Sequence, residues 1–450
     1  MSFEDACDGE NRDITDGTGS REASEHSLPS KRRIALVLSF LCLGCLLQGA
    51  TYSHVTSFFN KYAVRHKFLS STQYGIIMGS YCLVFVIVTP IVAKIVTSKR
   101  FEDNYVMFLG WAVDAVFCIL TSTTSHLKEG THFFLGTLTL RLCSAIGCAI
   151  GFFMLYIVLA TEMNQINHIV IPLLETVYAV SVMIGPAFSG MLYDYGGYPL
   201  PFWVIGGILS TLTVSALLFF PKPVAVKPDQ NDGCNPSEGL MRTLELPIIV
   251  NVLCALNGFV IISFNESTLA LQLDLKFGMS TSESGRMFFA AGSTYAFSSL
   301  LFGYISKRIS DPRYLVILAN SIAIIGLILQ GPLIPITQTK NTVIIAQMLL
   351  GFGLGPTYVC SFLQALKYLD SESKDTYAAL STLFTPATSV GCTIGPLMAG
   401  LILEYFSYKT GVMIISAQLI CMMGFLIATV FFATPRKVAK PEPPVKQISV

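Results

Sequence analysis

Residues Ile184 to Tyr198 read I-G-P-A-F-S-G-M-L-Y-D-Y-G-G-Y, and residues Ile394 to Tyr408 read I-G-P-L-M-A-G-L-I-L-E-Y-F-S-Y. Shifted by 210 residues, Ile184/Ile394, Gly185/Gly395, Pro186/Pro396, Gly190/Gly400, Asp194/Glu404, Tyr195/Tyr405 and Tyr198/Tyr408 coincide, so the chain carries one structural unit twice. The small residues Ser181, Gly185 and Ser189 in one copy, and Gly391, Gly395 and Ala399 in the other, recur every four positions. That spacing puts them on one helix face and lets a second helix approach closely, which is how helices associate in lipid. The proline after each glycine removes a backbone donor and bends its helix. Gly185, Pro186, Gly190, Gly395, Pro396 and Gly400 are therefore the expected conformational hinges of two related halves.

Composition places those halves in a membrane. Apolar residues make up 52% of the chain and charged residues 13%, about half the soluble norm of roughly 25%, and the mean hydropathy is +0.61. A net charge of +1 offers no footprint for nucleic acid. The twelve cysteines are scattered mostly through apolar runs, as small hydrophobes would be. Cys42-x-x-Cys45 has no second pair, so neither a metal nor another cofactor is expected. No histidine sits deep in an apolar run, which argues against a histidine proton relay.

Twelve apolar stretches reach or approach the roughly 20 residues that span a bilayer. They are 34–58, 74–96, 105–123, 132–160, 172–193, 201–220, 247–273, 287–306, 314–335, 341–366, 376–403 and 410–433. The expected layout is an all-α membrane protein. It has a disordered tail at 1–33, six spans at 34–220, a polar linker at 221–246, six spans at 247–433 and a second tail at 434–450. With both ends on one side, that side receives 20 of the 29 Lys and Arg and the other side 8, with Arg141 inside a span. The positive-inside rule then puts both termini in the cytosol. The start of the chain lacks the apolar core of a signal peptide. The sequence leaves a vesicle or other intracellular membrane and the plasma membrane equally open.

Two six-span halves match the layout of the major facilitator superfamily, and particular residues resemble it more closely. The stretch around Gly185-Pro186 is similar to the antiporter signature of that family's fifth helix. Arg141 with Gly147 resembles the fourth-helix signature of its proton-coupled members. Phe264-Asn265-Glu266-Ser267-Thr268-Leu269 resembles the Phe-Leu-acid-Pro-Thr-Leu stretch of vesicular amine transporters, with Ser267 where they carry proline. Leu301-Phe302-Gly303-Tyr304 and Leu174-Glu175 look most like their polyamine-transporting branch. The family's Gly-x-x-x-Asp gating acids are replaced by lysines in Pro90-x-x-x-Lys94 and Gly303-x-x-x-Lys307.

Ionisable groups inside lipid need a reason to be there. Glu266, well inside span seven, is the leading candidate for a cation or proton site. Arg141 cannot lose its charge and must face a cavity or a carboxylate. Asp114, in the middle of span three, is its candidate partner or a second cation ligand. Glu175, near the cytosolic start of span five, is a further candidate contact. Tyr52, Phe58, Tyr81, Tyr295 and Tyr358 could stack on a cationic amine, and Gln48, Gln272 and Gln364 could set specificity or tie helices together. Gly351-x-Gly353-x-Gly355-Pro356 has no phosphate-binding Gly-Lys-Ser/Thr beside it, and reads as a kinked gating helix.

With no nucleotide motif, the motive force must be ionic. The expectation is a secondary transporter, not an enzyme. It would exchange protons for an organic cation, a polyamine or a monoamine, by alternating access. The partners expected are that small molecule, protons and the bilayer. Two alternatives stand beside it: a facilitator or symporter of a neutral or anionic metabolite, and a non-transporting sensor or scaffold.

Overall fold

Within lipid each backbone N–H and C=O must find a partner in the chain itself, so an apolar run of this length folds as a helix. The computed structural model describes residues 31–97, 102–128, 130–163, 167–221, 245–331, 333, 337–369 and 374–432. The side chains of some helical positions, that of Glu175 among them, lie outside the described set. Both expected tails and the expected linker fall almost wholly outside it as well.

Among the described residues all regular structure is helical, and twelve helices are long and apolar enough to cross a membrane. In order they are α1 Lys31–Ser53, α2 Ser71–Thr97, α3 Asp103–Thr121, α4 Gly130–Glu162, α5 Asn167–Gly196, α6 Pro199–Phe219, α7 Leu246–Phe277, α8 Thr281–Ser306, α9 Arg313–Gln330, α10 Lys340–Leu369, α11 Lys374–Tyr405 and α12 Tyr408–Phe432. A 3₁₀ turn at His54–Ser57 and a short helix at Phe59–Lys67 join α1 to α2.

Several helices outrun their apolar stretches because polar residues start and stop them. α8 begins six residues before the expected 287. Ser280 Oγ accepts from Glu283 N and Glu283 Oε2 accepts from Ser280 N, a capping box that nucleates the helix before the apolar run starts. The same box recurs 210 residues earlier at the start of α2, where Ser70 Oγ accepts from Gln73 N at 3.2 Å and Gln73 Oε1 from Ser70 N at 3.1 Å. Each box follows a left-handed residue that ends the preceding helix, Phe68 at φ 53° and Gly278 at φ 60°. Glycine pays no Cβ penalty there, whereas Phe68 does.

The duplicated stretch determines how the halves pack. A Cβ on Gly185 of α5 would lie 2.1 Å from Ser53 Oγ of α1, and one on Gly395 of α11 would lie 2.0 Å from Ser263 Oγ of α7. Ser53 and Ser263 are themselves 210 residues apart. Between the halves, a Cβ on Gly190 would meet Thr281 O of α8 at 2.5 Å, and one on Gly400 would meet Ser71 O of α2 at 2.6 Å. Gly285 faces Pro186 O and Gly75 faces Pro396 O in the same relation. These pairs obey one pseudo-two-fold, with α5 on α8 and α11 on α2 joining the halves.

The first half is cored by Trp111, whose ring fills the notches left by Gly44 and Gly151, with Leu41, Met154 and Leu209 around it. The glycines at 351, 353 and 355 lie mid-way along α10 rather than at its opening. Gly351 and Gly355 admit Ala291 O and Tyr295 O of α8, and Gly353 admits the α9 backbone at Ala319 and Ala323. They are packing notches on two faces of one helix.

Candidate substrate and proton site

Each half buries a polar centre. In the first half, α1, α3 and α4 converge because Gly110, Gly147 and Gly151 bring α3 and α4 into backbone contact. Asp114 is fully buried there. Its Oδ1 accepts from Ser144 Oγ at 2.6 Å and its Oδ2 from Thr51 Oγ1 at 2.9 Å. Arg141, 3% exposed, donates from Nη1 to Thr51 O at 3.3 Å, and its guanidinium lies 4.4 Å from the Tyr81 ring centroid. No ion pair within 4 Å joins Asp114 to Arg141 among the described residues. Thr51 bridges them, one side through its hydroxyl and the other through its carbonyl.

His54 belongs to this centre, against the expectation from sequence. It opens the 3₁₀ turn that follows α1, is fully buried, and donates from Nδ1 towards Thr51 O at 2.9 Å, with its ring edge-on to Phe202. Its position at the end of an apolar run concealed it, because the chain turns back over it as the 3₁₀ segment. Arg141 Nε and Nη2, His54 Nε2, Tyr74 OH, Tyr81 OH and Thr137 Oγ1 are buried and have no hydrogen-bond partner among the described residues. Buried polar atoms in that state need water or a ligand.

In the second half, Glu266 is half-buried on α7, and its carboxyl accepts no hydrogen bond among the described residues. Its charge bears on Tyr52 and Tyr74 from the opposite half and on Cys392 of α11. Behind Glu266 the neighbouring Asn265 is locked in an amide cluster. It donates to Gln347 Oε1 at 2.9 Å, and its Oδ1 accepts from Gln330 Nε2 at 2.6 Å, while Gln330 also reaches Tyr408 OH at 2.6 Å. That cluster pins Asn265 and with it the rotation of α7 at this point.

The other candidates scatter. Tyr52 flanks Tyr81 at 5.7 Å, whereas Phe58 stacks on Tyr193 in the apolar core near the α5–α6 turn. Tyr358 packs against Phe259, Phe362 and Phe384, and Tyr295 against the core of the second half. Gln48 donates to Cys148 O at 3.0 Å, tying α1 to α4, and Gln272 lines a small recess with Gln330 and Tyr408. Gln364 is buried, with its Oε1 unpartnered among the described residues. Cys45 Sγ donates to Leu174 O.

The end of the site away from the termini is sealed. Asn60 Nδ2 donates to Ser267 O at 2.6 Å, Lys61 Nζ to Met279 O at 2.8 Å and Ser284 Oγ at 3.0 Å, and Arg65 pairs with Asp274 at 2.8 Å. Asp194 and Glu404 add contacts to the starts of α8 and α2. Sequence reading missed Asn60, Lys61, Thr51 and Ser144, because hydroxyls in a span and polar groups in a connecting segment carry no spacing signal.

Known proteins place this arrangement. The profile described as Major Facilitator Superfamily matches residues 34–385 and 248–449. The mouse MFS-type transporter SLC18B1 is 27% identical over 408 residues, covering 87% of this chain and 85% of that protein. The bovine synaptic vesicular amine transporter is 25% identical over 347 residues, covering 75% and 62%. In fold, the chain is similar to a bacterial homologue of the human lysosomal transporter Spinster, in an inward-facing and unoccupied conformation. The TM-score is 0.69 at 15% identity, covering 90% and 97% of the two chains. The nucleoside transporter NupG follows with a TM-score of 0.64 at 12% identity, covering 88% and 99%. With its twelve helices in two pseudo-symmetric sets of six, the chain belongs to the major facilitator superfamily, whose members are membrane transporters and not enzymes.

Proposed function

We propose that the protein exchanges protons for an organic cation, a polyamine or a monoamine, by rocking its two halves about the central site. The observation that carries this reading is Glu266, a half-buried carboxyl that accepts no hydrogen bond among the described residues and lies within electrostatic reach of Tyr52 and Tyr74 of the opposite half. An ammonium group beside it would meet a carboxylate on one side and the faces of Tyr52 and Tyr74 on the other, the environment that recognises organic cations. In the empty site Glu266 holds a proton. The arriving ammonium takes its place, and the proton leaves on the side from which the cation came.

Arg141, charged at every accessible pH, and Asp114 would tune that exchange through Tyr74 and Thr51. Glu175, by its place near the terminal end of α5, would meet the cation on entry. The glycines and prolines at 185, 186, 190, 395, 396 and 400 would be the smooth surfaces on which residues 34–220 rock against 247–433. The names of the amine-transporting relatives support the substrate class, and the Lys and Arg bias supports cytosolic termini in a vesicle or other intracellular membrane, or in the plasma membrane. One observation favours a second reading. Arg141 Nε and Nη2, without a hydrogen-bond partner among the described residues, would suit a neutral or anionic metabolite, carried without a proton.

Uptake of labelled spermidine and serotonin into proteoliposomes with an acidic interior separates the readings. Gradient-driven uptake lost in E266Q supports cation exchange. Uptake of neither amine under any gradient overturns it.

A further inference from the structure

The capping boxes at the starts of α8 and α2 use the amides of Ser280 and Glu283, and of Ser70 and Gln73. Among the described residues, the amides that lie between the boxed ones have no partner from their own half. On α8 those amides are taken by the other half. Asp194, near the end of α5, accepts from Ser282 N at 2.8 Å, Ser282 Oγ at 2.5 Å and Thr281 N at 3.3 Å, and from Thr281 Oγ1. On α2 the relation repeats with Glu404, near the end of α11, which accepts from Thr72 N at 3.2 Å. Asp194 and Glu404 are the acidic pair of the duplicated stretch, and Ser282 and Thr72 are also 210 residues apart. A carboxylate is favoured at a helix start by the unpaired N–H groups and the dipole. Here each such start belongs to the opposite half, so neither bond survives if the halves part at this end.

We propose that Asp194 and Glu404 are twin latches of the gate opposite the termini, each a positioning residue that holds the transporter shut on that side by capping a helix of the other half. Gly190 and Gly400, one turn before each acid, permit the approach, since a Cβ on either would strike the capped segment. Asp194, with four donors, is the stronger latch, and Glu404, with one, the weaker. Lys61, Arg65 and Asp274 line the same seam and add to the closure without belonging to the repeat. The inference stands whatever the cargo.

The test reads access to the native Cys392, beside Tyr52 and Glu266, with a membrane-impermeant maleimide. Sealed proteoliposomes are selected in which an amino-terminal tag is protected from external protease, so that the gate faces outward, and labelling is followed by peptide mass spectrometry. The expected result is Cys392 labelling at least about fivefold faster in D194N/E404Q than in wild type. E404Q alone should give a smaller increase, and the charge-conserving D194E/E404D should stay near the wild-type rate. Equal rates in wild type and D194N/E404Q, at unchanged helical content, would overturn the proposal. So would acceleration by D194E/E404D as large as by the neutral pair. Should the double variant not fold, E404Q decides alone, because Glu404 is exposed and makes a single bond: no acceleration overturns. No cargo enters the assay, so its outcome is independent of the amine reading.

Discussion

Asp114 and Arg141 are joined through Thr51, whose hydroxyl donates to the carboxylate at 2.9 Å while its carbonyl accepts from the guanidinium at 3.3 Å. A direct pair would neutralise both charges; the bridge leaves each available to a third group, Asp114 to Ser144 and Arg141 to Tyr81. T51V keeps the shape and removes the hydroxyl from a buried, charged acceptor. The expected cost is about 1.5–3 kcal/mol, read as a lower unfolding temperature in detergent. T51S, which restores the hydroxyl, should recover most of it.

The duplicated glycines predict a symmetric pair of packing defects. G185A and G395A each place a methyl within 2.1 Å of a serine hydroxyl, and should each destabilise by about 1–3 kcal/mol through overpacking. Truncating the opposing serine, as S53A or S263A, should relieve part of that cost in a double-mutant cycle. G207A, where nothing lies within 4 Å, should leave the unfolding temperature within error of wild type.

Asn265 predicts a loss of aim rather than of charge. N265A strands amide groups of Gln347 and Gln330 that have no other described access to water. It should lower stability by about 1–3 kcal/mol. It should also raise the KM for cargo more than N265D does, because N265D retains an acceptor for Gln330. Equal KM values in the two variants would remove Asn265 from the positioning of Glu266.

Lys61 predicts a pH signature. Burial, opposed by the nearby Asp274 and Asp194, pushes its pKa below the ordinary 10.5. The native state therefore sheds this proton before the unfolded chain does. The penalty of burying the charge is present in full below the lowered pKa and is relieved as pH rises from there to 10.5. In K61M, the rise of unfolding temperature with pH over that alkaline window should be smaller than in wild type.

The fold was legible because lipid imposes length and apolarity on each span, and because the stretch at Ile184 to Tyr198 returns 210 residues later. What hydropathy could not place were helix starts made by polar capping, as at Ser280, and the turn that buries His54. Glu266 and Asp114 were visible as charges in apolar runs. Thr51, Ser144 and Asn60 were not, since a hydroxyl or amide becomes functional only through what the fold sets opposite it. The latches were half legible: the shared acid at 194 and 404 is in the repeat, but its partners are backbone amides, which sequence never distinguishes.

Proton flux reads directly whether Glu266 gives up a proton when a cation takes its place. Proteoliposomes holding a pH-sensitive dye and an acidic interior are exposed to external spermidine or serotonin. Prompt alkalinisation of the interior, saturating with amine and absent in E266Q, is expected. Amine uptake without alkalinisation in the wild type, or alkalinisation of equal size in E266Q, would contradict it.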